Sequence, residues 1–315
     1  MTSRRFQQVD VFTDRAGYGN ALAVVIDGQG LSDEQMARFA RWTNLSETTF
    51  LLPPTDAAAD YRVRIFTPTV ELPFAGHPTL GSAHVWLAAG GAPRNAAEVV
   101  QQCGVGLVRI RRDGERLAFA APPRRRSGPL DEPMVERIAR FLGIPRADIL
   151  AHQHCDNGPG WKAVMLRTAT QVLALRPRLG SETDLEIGVV GPTETTGKVG
   201  VVGGHAEGSD ADFEVRAFFP AHGALAEDPV TGSLNAALAQ WLIESGRAPR
   251  RYVAAQGTAL GRAGRVFVEH DGTDVWIGGQ VTPCIEGTLA LSPARPPEGA
   301  RSRSAGPAEG RRVPH

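Results

Sequence analysis

Apolar and polar residues alternate through Tyr61–Phe66, which is rich in β-formers, and this pattern predicts a β-strand. Thr67–Pro78 follows as a connection marked by proline and glycine. Thr79–Leu87 is small or apolar on nearly every side, which indicates a buried helix. A strand that passes through a glycine-containing loop into a helix directs free backbone N–H groups at an anion. The stretch therefore predicts an anion site at the helix start.

The same succession of elements occurs a second time. Phe213–Pro220 repeats the pattern of Tyr61–Pro68, and Asp228–Ser233 (DPVTGS), aligned residue for residue, echoes Gly76–Gly81 (GHPTLG). Asn235–Glu244 then forms a second small, apolar helix. Two copies are too few for a solenoid. The repeat predicts two similar lobes whose helix starts face one cleft.

Local signals define further elements. Ser32 followed by Gln35 is the pattern of a capping box, and Asn44 is expected to end the helix that begins there. Asp113–Gly114 and Asp271–Gly272 each lie between β-rich runs and predict hairpin turns. A further strand is expected at 185–190.

The lobe boundary is placed in Pro122–Pro129 (PPRRRSGP), which has the composition of a linker. The first lobe then covers residues 1–122 and the second lobe residues 123–292. Arg124–Arg126 is either an anion patch or part of a solvated linker, and the linker is favoured. Residues 293–315 are rich in Pro, Arg, Ser and Gly, cannot bury a core, and are expected to be disordered.

Composition narrows the functional classes. The 315 residues carry 34 Lys and Arg against 34 Asp and Glu, so net charge gives no reason to expect a nucleic-acid or anionic-membrane partner. No apolar run approaches the ~20 residues of a membrane span. The start of the chain lacks an apolar signal core, so we expect cytoplasmic residence. Three widely separated cysteines make no disulfide framework.

Three ionisable residues are candidates for chemistry, each with a structural alternative. Glu47 lies at a junction between a helix and a strand, where it is either a solvated carboxylate or an acid/base presented to a cleft. Asp228 before Pro229 is the pattern of a helix start with Asp as N-cap, which also places it beside free N–H groups. His77, before Pro78, is either a hydrogen-bonded loop residue or a proton-transfer group.

Small residues mark the two helix starts, whereas the phosphate-loop and metal-binding patterns are incomplete. Gly76, Gly232 and Ser233 are small enough to let a carboxylate approach the amides of the two helix starts. Residues 191–198 (GPTETTGK) resemble a phosphate loop but have one residue too many between the glycines. His152–Cys155 (HQHC) has no matching ligand pair elsewhere, so no metal is expected.

Four motifs in order, Asn44–Phe50, Arg64–Pro68, Glu71–Gly81 and Glu227–Ser233, resemble the PhzF-like phenazine-biosynthesis family over about residues 5 to 292. The resemblance implies the diaminopimelate-epimerase fold. That fold is α+β, with two pseudo-symmetric lobes that are each a curved mixed β-sheet or barrel around a central helix. Family members are commonly homodimers.

The resemblance also implies a cofactor-independent isomerase that moves a proton on a dihydro-3-hydroxyanthranilate. Glu47 matches the residue that shuttles the proton, and Asp228 is a further candidate for proton transfer. His77, Asp228 and Ser233 match residues that hold and polarise the substrate. The amides of Gly76 and Gly232 match the carboxylate cradle.

Asn20 is also expected to bind the substrate. It is followed by Ala21 where the family usually has proline, which frees the backbone and removes no chemical group. Two rivals stay open, an epimerase or other isomerase of the same fold and a non-catalytic protein that binds a small acid. Related epimerases use two thiols, and the matching positions are Ala75 or Gly76 and Asp228, so two-thiol chemistry is not expected here.

Overall fold

The computed structural model describes residues 3–177, 199–205, 209–221 and 224–291. The expected strand at 185–190, the phosphate-loop-like residues 191–198 and the expected disordered tail at 293–315 lie outside the described residues. The described residues form seventeen strands and five α-helices.

The strands are β1 Ser3–Val11, β2 Asn20–Val25, β3 Glu47–Leu52, β4 Tyr61–Phe66, β5 Glu71–Leu72, β6 Glu98–Cys103, β7 Gly106–Asp113, β8 Arg116–Ala120, β9 Ala151–Cys155, β10 Trp161–Thr168, β11 Val199–Gly204, β12 Phe213–Ala221, β13 Ala224–Asp228, β14 Arg251–Gln256, β15 Gly264–His270, β16 Val275–Gly279 and β17 Val281–Ala290. The helices are α1 Asp33–Thr43, α2 Gly76–Ala88, α3 Glu132–Leu142, α4 Ala169–Ala174 and α5 Gly232–Glu244.

All of the strands belong to one hydrogen-bonded mixed sheet, and the fold is therefore a sheet-dominated α+β architecture with few helices. The pairs β2–β3 and β10–β11 are parallel, as are β4–β6 and β12–β14. The other pairings are antiparallel, and they include β1 with β17 and β8 with β16. These last two pairings join strands that are far apart in the sequence. The boundary near residue 122 stays a prediction.

The two copies of the repeat contain the same elements. In each copy an antiparallel hairpin, β4–β5 or β12–β13, leads into a 13-residue helix, α2 or α5. Both helices are buried on most sides, as their small and apolar residues predict. Gly81 shows why α2 has small residues, because a Cβ there would lie 2.5 Å from the side chain of Leu22.

The register of the repeat differs from the residue-for-residue alignment. In β4–β5, Ile65 pairs with Leu72, whereas in β12–β13 the corresponding partner of Ala217 is Asp228. The second hairpin is therefore four residues longer, since 228 − 217 = 11 and 72 − 65 = 7. Gly76 consequently corresponds to Gly232. The alignment of GHPTLG with DPVTGS was wrong because it passed over this insertion.

The expected helix starts also need correction. Helix α2 begins at Gly76 instead of Thr79, because proline is tolerated in the first helical turn. Asp228 is not an N-cap, since it ends β13 and Thr231 is the N-cap of α5. Asp228 is held in the sheet by its pairing in the longer hairpin.

Other local predictions are confirmed. Ser32 and Gln35 form both hydrogen bonds of the capping box, and Asn44 ends α1 in the left-handed region at φ 54°. The hairpins β7–β8 and β15–β16 turn at Asp113–Gly114 and Asp271–Gly272. Short-range hydrogen bonds decide these features, so their sequence signals hold.

The interpretation of Arg124 as part of a solvated linker was wrong. Its side chain is only 10% exposed and forms an ion pair with Glu244 at the end of α5. The backbone N–H groups of Arg125 and Arg126 donate to the carbonyl oxygen of Asp156. The segment is therefore fixed against the loop between β9 and β10. Among the described helices, none has the length and apolar character needed to cross a membrane.

Candidate active site

The starts of α2 and α5 touch at two glycines. A Cβ on Gly76 would lie 2.8 Å from the Cα of Gly232, and one on Gly232 would lie 2.9 Å from the Cα of Gly76. The N-cap residues Ala75 and Thr231 make no side-chain capping bond to their helices. The backbone N–H groups of both first turns are therefore uncapped where the positive ends of two helix dipoles meet.

Glu47 and His77 lie side by side at this junction. Glu47 is the first residue of β3, His77 is in the first turn of α2, and their Oε2 and Nε2 atoms are 3.3 Å apart. The two side chains are 15% and 6% exposed. Burial lowers the pKa of His77 to about 3, and a backbone hydrogen bond with Ala21 opposes the shift. A neutral imidazole has one acceptor nitrogen, so the pair can share one proton.

Asp228 approaches the same place from β13. Its Oδ1 accepts from Asn20 Nδ2 at 2.9 Å, and its Oδ2 accepts from Thr231 Oγ1 at 2.7 Å. Asn20 Nδ2 also donates to the carbonyl oxygen of Val230 at 2.9 Å and lies 3.4 Å from Nδ1 of His77. Asn20, the first residue of β2, thus lies between the imidazole of one repeat and the carboxyl group of the other.

Ser233 is the residue of α5 that corresponds to His77 in α2. Its Oγ accepts a hydrogen bond from Trp161 Nε1 at 3.0 Å, and its carbonyl oxygen accepts one from Asn157 Nδ2 at 2.8 Å. One lone pair of the hydroxyl is therefore occupied, and its proton is directed elsewhere. The structure brings together all of the residues that the sequence indicated: Asn20, Glu47, Gly76, His77, Asp228, Gly232 and Ser233.

Sequence reasoning missed Gln256 and the strand β14 that ends with it. This side chain is 0% exposed and binds both Thr231 and the backbone of Asp228. The available signal was a glutamine at the end of a short stretch, RYVAAQ, that is otherwise largely apolar. The sequence also gave no sign that Trp161 and Asn157 contact Ser233, because these contacts join distant parts of the chain.

Glu227 is adjacent to Asp228 but is turned toward Arg216. The guanidinium of Arg216 forms two hydrogen bonds with this carboxylate, at 2.8 and 2.7 Å. It also donates to the carbonyl oxygens of Val172 and Leu175 near the end of α4. The Glu227 carboxylate is therefore engaged in holding the hairpin.

The remaining candidates lie outside this cluster. Within the described ranges, no group of three or more His, Cys, Asp or Glu residues could hold a metal ion. In the HQHC segment, His152 Nδ1 accepts from the backbone N–H of Leu130, and burial raises the pKa of Cys155 to about 12. Cys103 lies on β6 and Cys284 on β17. None of the three thiols occupies a helix start.

A buried carboxyl–imidazole pair beside two uncapped helix starts can transfer a proton and can bind a small anion. The sequence model of the PhzC-PhzF family, described as phenazine biosynthesis-like protein, matches residues 9–287. The chain belongs to this family.

Two curated relatives are similar over nearly their whole length. Antisense-enhancing sequence 1 of Schizosaccharomyces pombe is 35% identical over 303 residues, which cover 91% of this chain and 99% of the relative. Trans-2,3-dihydro-3-hydroxyanthranilate isomerase of Pseudomonas aeruginosa is 32% identical over 282 residues, which cover 85% of this chain and 91% of the relative. Because this Pseudomonas aeruginosa protein and further similar curated proteins are named as isomerases, the chain is an enzyme of the isomerase type.

Solved structures agree on the fold. A predicted epimerase from Pseudomonas aeruginosa superposes with a TM-score of 0.71 and 28% identity, covering 92% of this chain and 100% of that chain. A hydroxyproline epimerase from Agrobacterium vitis superposes with a TM-score of 0.54 and 14% identity, covering 92% and 93%. The chain therefore shares the fold of PhzF-family proteins and of this epimerase.

Proposed function

We propose that the protein is a cofactor-independent isomerase that moves a proton on a small cyclic amino or carboxylic acid of the dihydro-3-hydroxyanthranilate type. The observation that carries this proposal is the 3.3 Å contact between Glu47 Oε2 and His77 Nε2 where the two helices start. A carboxylate at this place takes a proton from a substrate carbon and returns it at another position of the conjugated system.

The backbone N–H groups at Gly76 and Gly232 are the proposed binding site for the substrate carboxylate. They belong to uncapped helix starts, so their hydrogen bonds and dipoles are available to an anion. Because the two glycines are in contact, one carboxylate can bind amides from both helices. The Ser233 hydroxyl, whose oxygen accepts from Trp161, is oriented to donate its proton to the same ligand.

Charge develops on the substrate when the proton leaves carbon, and fixed donors near that charge lower the barrier. Asn20 and His77 present nitrogen atoms 3.4 Å apart beside the carboxyl group of Asp228. We assign these three residues to polarising and orienting the substrate, with Glu47 as the proton carrier. Asp228 is the second candidate for proton transfer.

The division into two lobes and the oligomeric state are also proposed. Each repeat is taken to be one lobe around its central helix, with the site at the interface of the two lobes. Assembly as a homodimer is also proposed, and size-exclusion chromatography with light scattering tests it.

Epimerisation by the same fold is the second candidate, favoured by the 28% identity to the predicted epimerase. Two-thiol epimerisation would need a cysteine at each helix start, where this chain has Ala75 and Gly76 in one repeat and Thr231 and Gly232 in the other. Any epimerase activity would therefore depend on Glu47 or Asp228 as the base. A non-catalytic binder would retain the amide cradle and would not require the Glu47–His77 pair.

The test is proton NMR in deuterium oxide with trans-2,3-dihydro-3-hydroxyanthranilate and related cyclic amino acids. We expect the wild-type protein to exchange substrate C–H for deuterium and Glu47→Gln to lose exchange by at least ~100-fold. Glu214→Gln is the matched control, because Glu214 on β12 is also buried and lies 3.1 Å from a different histidine, His205.

Each outcome decides between the candidates. Exchange that survives in Glu47→Gln and disappears in Asp228→Asn would move the proton carrier to Asp228. Inversion of a stereocentre without relocation of a double bond would favour the epimerase. Saturable binding with no exchange of any compound would contradict the isomerase proposal and favour the binding protein.

A further inference from the structure

Gln256 uses every hydrogen-bonding position of its side-chain amide. Its Oε1 accepts from the backbone N–H of Thr231 at 3.0 Å and from Asn235 Nδ2 at 2.8 Å. Its Nε2 donates to the carbonyl oxygen of Asp228 at 3.1 Å and to Thr231 Oγ1 at 2.9 Å. A flipped amide would place two N–H groups against two donors, so this network fixes the orientation of Gln256.

The amide of Gln256 determines which atom donates in the hydrogen bond between Thr231 and Asp228. Thr231 Oγ1 accepts from Gln256, so the hydroxyl has its own proton available for a second partner. That partner is Oδ2 of Asp228, 2.7 Å away. The Thr231 hydroxyl is not used to cap α5, so it is committed to the carboxyl group.

Asp228 is thereby held from two sides. Thr231 donates to Oδ2, and Asn20 donates to Oδ1 at 2.9 Å. Without Gln256 the hydroxyl of Thr231 could rotate, and one of these two donors would no longer be fixed. The buried amide therefore controls the rotation of a carboxyl group in the proposed site.

We propose that Gln256 is a positioning residue, which acts through the hydroxyl of Thr231 to fix the carboxyl group of Asp228 toward the substrate. This inference rests on the proposed function for its kinetic consequence. The structural part, a single rotamer of Thr231 that depends on Gln256, is independent of which reaction the protein catalyses.

Gln101 provides the matched control. It is also 0% exposed and forms two side-chain hydrogen bonds, one with Tyr61 Oη at 2.7 Å and one with Thr79 Oγ1 at 3.0 Å. In that repeat Leu72 occupies the position of Asp228, so no carboxyl group depends on the amide. Gln101→Met therefore removes a comparable buried amide without affecting Asp228.

The kinetic experiment compares Gln256→Met with Gln101→Met by deuterium exchange into trans-2,3-dihydro-3-hydroxyanthranilate, with folding checked by circular dichroism. We expect Gln256→Met to lower kcat roughly tenfold, with KM changed less, and Gln101→Met to leave both close to wild type. In an Asp228→Asn background, Gln256→Met should cause no further loss. An equal loss in both backgrounds would overturn the proposal, because the amide would then act without Asp228.

The rotamer of Thr231 is measured separately through its methyl three-bond carbon couplings in NMR spectra. We expect one rotamer in the wild type and averaged couplings in Gln256→Met. An unchanged single rotamer in the variant would overturn the proposal whatever the activity.

If Gln256→Met does not fold, Thr231→Val gives the same kinetic comparison, since it removes the hydroxyl and keeps the shape. Absence of exchange in the wild type would reject the proposed function and leave the rotamer measurement decisive.

Discussion

Gly76 and Gly232 are in backbone contact, with only 2.8 Å between the position of a Cβ on Gly76 and the Cα of Gly232. The neighbour on each side is main chain, which cannot rotate away as the end of a side chain can. The two helix starts are therefore at their minimum separation, and both sets of amides can reach one small anion.

Replacement of Gly76 by alanine is expected to separate the helices and destabilise the fold by about 1–3 kcal/mol. Binding of a carboxylate ligand should weaken much more than stability, because the amides of α5 move out of reach. Calorimetric titration with 3-hydroxyanthranilate and urea denaturation measure the two effects. Gly287→Ala is the control, since a Cβ at Gly287 meets nothing within 4 Å. Unchanged affinity in Gly76→Ala would contradict the shared cradle.

Burial of His77 predicts a pH dependence of stability. Its pKa falls from 6.5 to about 3 in the folded protein, so the unfolded chain binds a proton in this range that the folded protein does not. The contribution of His77 to the free energy of unfolding is therefore retained above pH 6.5. It is lost progressively as the pH falls from 6.5 toward 3. Urea denaturation from pH 7 to pH 4 should show a steeper fall for wild type than for His77→Gln. Parallel curves would show that His77 takes up a proton in the fold.

Trp161→Phe keeps the ring and removes the indole N–H that donates to Ser233 Oγ. The hydroxyl then has no fixed donor and is free to rotate, so we expect KM for the substrate to rise roughly threefold to tenfold with a smaller change in kcat. Trp276→Phe is the matched control, because its indole N–H donates to Asp271 in the β15–β16 hairpin and not to Ser233. In a Ser233→Ala background the effect of Trp161→Phe should disappear. An effect that persists there would assign Trp161 a role separate from Ser233.

The buried ion pair in the second hairpin predicts an asymmetry between the repeats. Arg216 and Glu227 are 6% and 11% exposed, whereas Arg64 and Glu71 are 17% and 41% exposed. Glu227→Gln leaves a buried guanidinium without its counter-charge and should cost about 3 kcal/mol. Glu71→Gln should cost about 1 kcal/mol or less, because water replaces the lost partner. Urea denaturation compares them, and equal losses would contradict the dependence on burial.

Local chemistry explains most of what the sequence predicted correctly. The capping box of Ser32 and Gln35 and the turn at Asp113–Gly114 depend on residues within a few positions of each other. The α+β class came from the motif resemblance, and the internal repeat and the two buried helices agreed with it. The positions of Glu47 and His77 at one site came from motif resemblance, since nothing in their spacing determines a 3.3 Å contact.

Long-range contacts explain the errors. The alignment of the two repeats failed because the second hairpin has four more residues, and only strand pairing reveals that Asp228 corresponds to Leu72. Asp228 followed by proline has the local signal of a helix start, but pairing with Ala217 keeps it in β13. Arg124 was taken as solvated because its neighbours suggested a linker, and its partner Glu244 lies 120 residues away.

The pairing of β1 with β17 has a consequence for how the protein is made. Ser3 is the register partner of Ala290, so β1 leaves the ribosome long before its partner β17 and waits for it before that edge is hydrogen-bonded. Until then β1 presents an open edge that can recruit other chains. Closure over such a sequence distance is slow, so this edge of β1 is expected to stay unpaired for longer than the edges that pair within local hairpins.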